Sequence, residues 1–190
     1  QKWNEAIAKQ YPSDYRALNN MAQQAISKGD MAAAQNYLKQ AANVNKNASE
    51  VNTNLALMAL KSGDVAKAET YLSKGTGSDT FKEVMGNLNI AKGNYTQAAS
   101  DLAGVNTNSA ALAQILAKDY TSAKTTLSKI KNADATTSYL QAVLAARTGD
   151  ANALSSSLKN AIQQDGTLAA RAAKDLEFAK YANVVKNLVK

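Results

Sequence analysis

Cysteine and histidine are both missing from this chain of 190 residues. Without them there is no disulfide, no thiolate nucleophile and no zinc site of the common kinds. The lack of cysteine fits the cytosol and an oxidising envelope compartment equally. Proline occurs once, so little interrupts a helix, and the abundance of alanine favours one. β-Branched residues are scattered and form no sustained alternating run, so no strand pattern emerges. No apolar run approaches the roughly 18 residues that a membrane-spanning helix needs, and no secretory leader is visible. The chain opens at Gln1, inside what reads as a helix. We therefore expect a fragment, or a mature product whose targeting segment has been removed. The net charge is +7, but the lysines are spread evenly. A nucleic-acid binder concentrates its basic residues in a stripe with interleaved aromatics, so no nucleic-acid partner is expected.

What is present is a recurring phrase. Lys28-Gly29-Asp30, Ser62-Gly63-Asp64, Lys92-Gly93-Asn94, Lys118-Asp119-Tyr120 and Thr148-Gly149-Asp150 each end one amphipathic stretch and open another. A small residue and then a leucine follow four positions apart: Ala34 and Leu38, Ala68 and Leu72, Ala98 and Leu102, Ala123 and Leu127, with Leu154 and Leu158 as the last pair. From leucine to leucine the steps are 34, 30, 25 and 31 residues, a period that marks stacked helical repeats. Small residues also recur before each turn, at Ala22, Ala56, Gly86, Ala111 and Ala142. They let the first helix of each pair approach the second.

The spacing predicts helix pairs over 14–44, 48–75, 79–102, 108–130 and 135–164, and one or two closing helices over 167–190. In the fourth pair the turn glycine is lost, and Asp119 is expected at the left-handed position. Residues 2–10 read as the last helix of an earlier unit, stopped by Tyr11-Pro12-Ser13-Asp14, with Ser13 or Asp14 capping the next helix. Trp3, Tyr11 and Tyr15 read as the severed core of that unit or as a docking patch. In the tail, Leu168, Leu176, Phe178, Tyr181, Val184, Val185 and Leu188 are the expected apolar positions. All 190 residues are read as one domain.

Reactive chemistry is sparse. No phosphate-loop motif exists; Gly75-Thr76-Gly77-Ser78 comes after a helix and not a strand, so it reads as a flexible link with a cap at Ser78 or Asp79. Ser27-Lys28 and Ser73-Lys74 are sequence neighbours that point in different directions on a helix. Asp30, Asp64 and Asp150 recur because each can cap the second helix of its pair. No enzyme, cofactor or metal is expected.

These turns, small residues and leucines resemble the tetratricopeptide repeat over 14–164. The resemblance implies an all-α fold: a right-handed α-α superhelix of about five helix pairs with a C-terminal capping helix. It departs from the family where units three and four are short, where Leu154 replaces alanine, and where Asn or Gly-Ser stretches replace the proline after each pair. The family grips an extended peptide or partner helix on its concave side with residues of the first helix of each pair. Carried onto this chain, these are Arg16, Asn19, Gln23 and Ser27, then Asn54, Leu57 and Lys61, then Glu83, Asn87 and Ile90, then Asn108 and Leu112, and finally Tyr139, Val143 and Arg147. Asn and Gln can both donate to and accept from a peptide backbone. Polar residues on an exposed face also need no purpose. A family device that clamps a terminal carboxylate would use the places of Asn19, Gln23, Asn54, Thr80 and Val84; only Asn54 matches, so no such clamp is implied. Asn106–Lys118 and Ala173–Tyr181 resemble the repeat region of Bacteroidetes cell-envelope proteins, which implies a periplasmic setting within a larger protein. The expected partner is a protein or peptide, with no membrane insertion by this segment. The alternatives are a spacer between flanking modules, or recognition of a cell-wall peptide or glycan.

Overall fold

In a computed structural model of the chain, which describes Trp3, Glu5, Ala6 and residues 14–190, the described residues contain helices and no strand. Between Tyr15 and Leu188 there are twelve α-helices and one 3-10 segment among the described residues. In order they are α1 (Tyr15–Ser27), α2 (Met31–Val44), α3 (Ser49–Lys61), α4 (Val65–Leu72), α5 (Asp79–Ala91), α6 (Tyr95–Asp101), α7 (Asn108–Leu116), α8 (Tyr120–Lys129), α9 (Ala135–Thr148), α10 (Ala151–Gln164), α11 (Leu168–Lys174), the 3-10 segment Leu176–Tyr181 and α12 (Ala182–Leu188). The chain forms two compact units, one ending at Asn94 and one running from Tyr95 to Lys190. In the first unit α1 pairs with α2 and α3 with α4, and α5 packs on both α3 and α4. In the second unit α7 pairs with α8 and α9 with α10, and α11, the 3-10 segment and α12 complete the chain.

At four of the turns one aspartate does two jobs. The N–H groups of Asp30, Asp64, Asp119 and Asp150 donate to the carbonyls of Ala25, Ala59, Gln114 and Ala145, at 2.9, 2.8, 2.8 and 2.9 Å, and so close the first helix. Their carboxylates then accept from the N–H groups of Ala33, Lys67, Ser122 and Ala153 at 3.0–3.2 Å, and so open the second. Closing the first helix in this way requires the preceding residue to be left-handed. Gly63 takes that conformation at φ 81°.

In the fourth pair the left-handed residue is Lys118, at φ 64°, and not Asp119 as the sequence suggested. Asp119 stays at φ −91° because its carboxylate must reach the Ser122 N–H. The spacing agrees with this register. Ala123 and Leu127 come after Lys118 by the same intervals that separate Gly63 from Ala68 and Leu72.

The small residues sit where the paired helices touch. Ala22 and Ala34, Ala56 and Ala68, and Ala111 and Ala123 are all fully buried, as are Ala142 and Leu154 in the last pair. Leu38, Leu72, Leu127 and Leu158 are buried beside them, and each contributes about 1.5–3 kcal/mol by removal from water. The cores join one hairpin to the next: Leu18, Ala22 and Leu38 of the first pair pack with Val51 of α3, and Leu72 packs with Val84 and Leu88 of α5.

Two closing helices stand in the tail, where one or two were expected, joined by the 3-10 segment. Phe178 and Val185 are buried, whereas Leu176 points outward and is 88% exposed, a departure from its expected apolar role. The tight 3-10 turn places Leu176 outside and Phe178 two residues later inside. Of the expected helix over 2–10, Trp3, Glu5 and Ala6 are described and helical. The rest of that helix, with Tyr11, Pro12 and Ser13, lies outside the described residues. Asp14 caps α1 by accepting from the Arg16 N–H, and Ser78 caps α5 by accepting from the Phe81 N–H.

Two substitutions should move stability in opposite directions. Lys118→Gly removes a left-handed strain of about 1–2 kcal/mol and adds roughly 0.5–1 kcal/mol of backbone entropy. It should therefore raise the urea midpoint, by a net of about 0.5–1 kcal/mol. Gly63→Ala should lower it by about 1 kcal/mol through backbone strain alone, because no atom lies within 4 Å of the added Cβ.

The caps also set an acid limit. Asp14, Asp119, Asp134 and Asp165 are held below the ordinary carboxylate value of 3.8, the first by Arg16, the others by hydroxyl and backbone N–H groups of Ser122, Thr137 and Thr167. A carboxylate depressed by folding confers stability that is complete above its unfolded pKa and is lost as pH falls through its folded value. The urea midpoint should be flat from about pH 6 to 8 and drop below about pH 4, and Asp134→Asn should shrink the drop.

Candidate functional site

Unit one holds an open cleft of about 580 Å³ between α1 and α3, walled by Asn20, Gln23, Gln24, Ile26, Ser27, Lys28, Asn54, Leu57 and Thr80. Four amide side chains and two hydroxyls surround an apolar strip of Ile26 and Leu57, and no carboxylate lines it. The amides arrive here because α1 carries Asn20, Gln23, Gln24 and Ser27 one turn or less apart on one side of the helix. Ser27 donates its hydroxyl to the Gln23 carbonyl at 3.1 Å.

One wall residue belongs to a buried polar pair. Asn54, 2% exposed, donates its Nδ2 to Oδ1 of Asn19, 5% exposed, at 2.8 Å. Its neighbours on α3 are buried and bonded too: Asn52 donates to the Lys46 carbonyl at 2.9 Å and Thr53 to the Ser49 carbonyl at 2.8 Å. The structure thus brings Asn54 and Gln23 to one cleft, with Asn19 behind Asn54. Arg16 is exposed and folds back on Asp14 at 3.2 Å. Lys61 is exposed and Asn87 half-buried, and neither forms part of the cleft wall.

Tyr139 and Arg147 lie on α9 in unit two, where the chain's own tail covers them. Tyr139 is 2% exposed and donates its hydroxyl to Asp175 Oδ2 at 2.5 Å. The Phe178 ring meets it edge-on at 5.5 Å and the Arg171 guanidinium stacks on it at 4.6 Å. Burial first, then the bond to Asp175, push the phenol far above its ordinary range. Arg147 grips Glu177 with two nitrogens, at 2.8 and 2.5 Å, and donates a third bond to the Ile115 carbonyl near the end of α7 at 3.0 Å. A cation there also meets the negative end of that helix. Asp175 and Glu177 were missed from sequence. They are the only acids between Thr167 and Lys190, and that isolation was the available signal.

Among the described residues no group of three or more acidic side chains is placed to hold a metal ion, and no helix is long and apolar enough to cross a membrane.

Residues 25–84 match the tetratricopeptide repeat family. No curated protein matches the chain. Among solved structures it is similar to the crystal structure of PilW, a widely conserved type IV pilus biogenesis factor. The TM-score is 0.64 at 17% identity, over 94% of this chain and 87% of that one. At this identity the likeness is one of fold. The chain has tetratricopeptide-like helix pairs, a fold that generally mediates protein–protein interaction and is typically non-enzymatic.

The tail latch is testable. Glu177→Gln leaves Arg147 without its charged partner. Because both side chains are partly solvated, at 22% and 30% exposure, the loss should be about 1 kcal/mol. It should be read as roughly fivefold faster amide exchange over 176–188. In an alkaline absorbance titration one tyrosine, lost in Tyr139→Phe, should stay un-ionised beyond about pH 11.

Proposed function

We propose that this chain is a non-enzymatic scaffold that holds a protein partner as an extended segment in the unit-one cleft. The observation that carries the reading is the wall of that cleft. It joins amide side chains to an apolar strip and lacks any carboxylate. Amides bond a peptide backbone whatever its sequence, and Ile26 and Leu57 offer a dry surface to its side chains. Gln23, Ser27, Asn54 and Leu57 are the residues of the expected set that face this partner. Arg16, Lys61 and Asn87 serve as its flanks.

The setting we propose is the cell envelope, on its periplasmic side, within a larger protein. The fold shared with a type IV pilus biogenesis factor supports this, as does the resemblance of Asn106–Lys118 and Ala173–Tyr181 to Bacteroidetes envelope proteins. The even spread of lysines argues against a nucleic-acid partner. For unit two a spacer role is favoured by a specific observation: Tyr139 and Arg147 are engaged by the chain's own Asp175 and Glu177.

A photo-crosslinking residue at Gln23 should yield discrete protein adducts in envelope preparations, and one at the exposed Lys67 of α4 should not. Identical patterns from both positions, or none from either, would leave the spacer as the whole function. Recovery of the native protein in the cytosolic fraction would overturn the periplasmic assignment.

A further inference from the structure

A second groove lies in unit two, on the side of α9 opposite Tyr139 and Arg147. Helices α8 and α10 form its walls and α9 its floor, around a volume of about 770 Å³. Leu127 and Leu144, 4% and 8% exposed, make its base apolar. Six of the thirteen lining side chains carry a hydroxyl. Three of these have already given their proton to their own helix. Thr125 donates to the Thr121 carbonyl at 3.2 Å, Ser128 to the Thr125 carbonyl at 2.7 Å and Thr148 to the Leu144 carbonyl at 2.9 Å. A hydroxyl whose proton is committed offers a ligand only its lone pairs. Gln141 adds an amide that both donates and accepts. Formal charge in the lining is one of each sign, Lys124 and Asp150. Tyr120, half-buried, supplies an aromatic ring.

We propose that this groove binds a neutral saccharide, whose hydroxyls donate to Thr125, Ser128 and Thr148. This groove and the peptide cleft lie in different units, and neither function requires the other. A saccharide brings the missing donors without bringing net charge. Each of its hydroxyls turns about its own bond, so it can give to a threonine oxygen or accept from Lys124 or Gln141. Other ligand classes meet a conflict. An anion faces Asp150 and the committed hydroxyl oxygens, and a cation faces Lys124. An extended peptide carries as many fixed carbonyls as N–H groups, and those carbonyls meet a lining in which acceptors outnumber free donors. The C–H faces of a sugar ring match Leu127, Leu144 and the Tyr120 ring, so binding removes apolar surface from water. The volume falls within the range of about 300–1,000 Å³ that small-ligand sites occupy.

Five probes are titrated into the isotope-labelled full chain while the backbone amides of 121–128 and 144–157 are followed by NMR. Cellotriose and triacetylchitotriose are the neutral saccharides. Permethylated cellotriose keeps the rings and oxygens but has no O–H. Trigalacturonate is the anionic counterpart, and capped trialanine is the peptide. At least one neutral saccharide should shift these resonances saturably, and the other three probes should bind about tenfold more weakly or not at all. Thr125→Val combined with Thr148→Val, both at exposed positions, should weaken the saccharide about tenfold with the helical circular dichroism unchanged. Equal binding of cellotriose and its permethylated form would overturn the donor assignment. Unchanged affinity in the folded double variant would overturn the placement of the contacts. Trialanine binding as tightly as the saccharides would make this a peptide groove, and trigalacturonate doing so would make it an anion site; either result overturns the proposal. Shifts with neither neutral saccharide would reduce the hydroxyls to a solvated helix face.

Discussion

The close approach of two helices at alanine is the constraint on which the rest of this molecule depends. At Ala22 with Ala34, and again at Ala56 with Ala68 and Ala111 with Ala123, no solvent reaches either side chain. A larger residue there would hold the helices apart and lift Leu38, Leu72 or Leu127 out of its packing position. Short helices of this kind are marginal by themselves. They persist because each leucine is buried once the alanines let the backbones meet. The last pair shows the tolerance of the rule: Leu154 replaces the second alanine and is itself fully buried, with the small residue retained only at Ala142.

The turn makes that approach possible, and its economy explains the recurring phrase. One aspartate closes a helix through its N–H and opens the next through its carboxylate, so the reversal takes very few residues. Among these aspartates, Asp119 ties fold stability to acid pH, because the hydroxyl and N–H of Ser122 hold its carboxylate below the ordinary value. Where the pattern loses its glycine, Lys118 accepts the left-handed strain and Asp119 keeps its cap. The two-fold duty of the aspartate therefore outranks the comfort of the residue before it.

Polar burial organises both surfaces that bear on function, with opposite results. In unit one Asn54 donates to Asn19, and its own carbonyl oxygen is buried and without a partner among the described residues. In unit two Tyr139 and Arg147 are met by carboxylates of the tail, so α9 presents no open face there. An aromatic and a guanidinium on the first helix of a repeat read as a binding surface until the chain itself supplies their partners.

The helix pairs, their order and their contact residues were legible from sequence because they obey local rules: the 3.6-residue period, cap chemistry and the need for a small residue where backbones meet. Even the Lys118 register was present in the constant interval to Ala123 and Leu127. Leu176 was less accessible, since a 3-10 turn breaks the periodicity on which its expected burial rested. What only the tertiary structure decided was which polar side chains are committed. The bond from Asn54 to Asn19 spans 35 residues, and those from Tyr139 to Asp175 and Arg147 to Glu177 span 36 and 30. No local pattern relates such pairs. A polar residue on a helix face reads the same in sequence whether it meets water, a partner or the chain's own tail, and only the folded geometry assigns its hydrogen bonds.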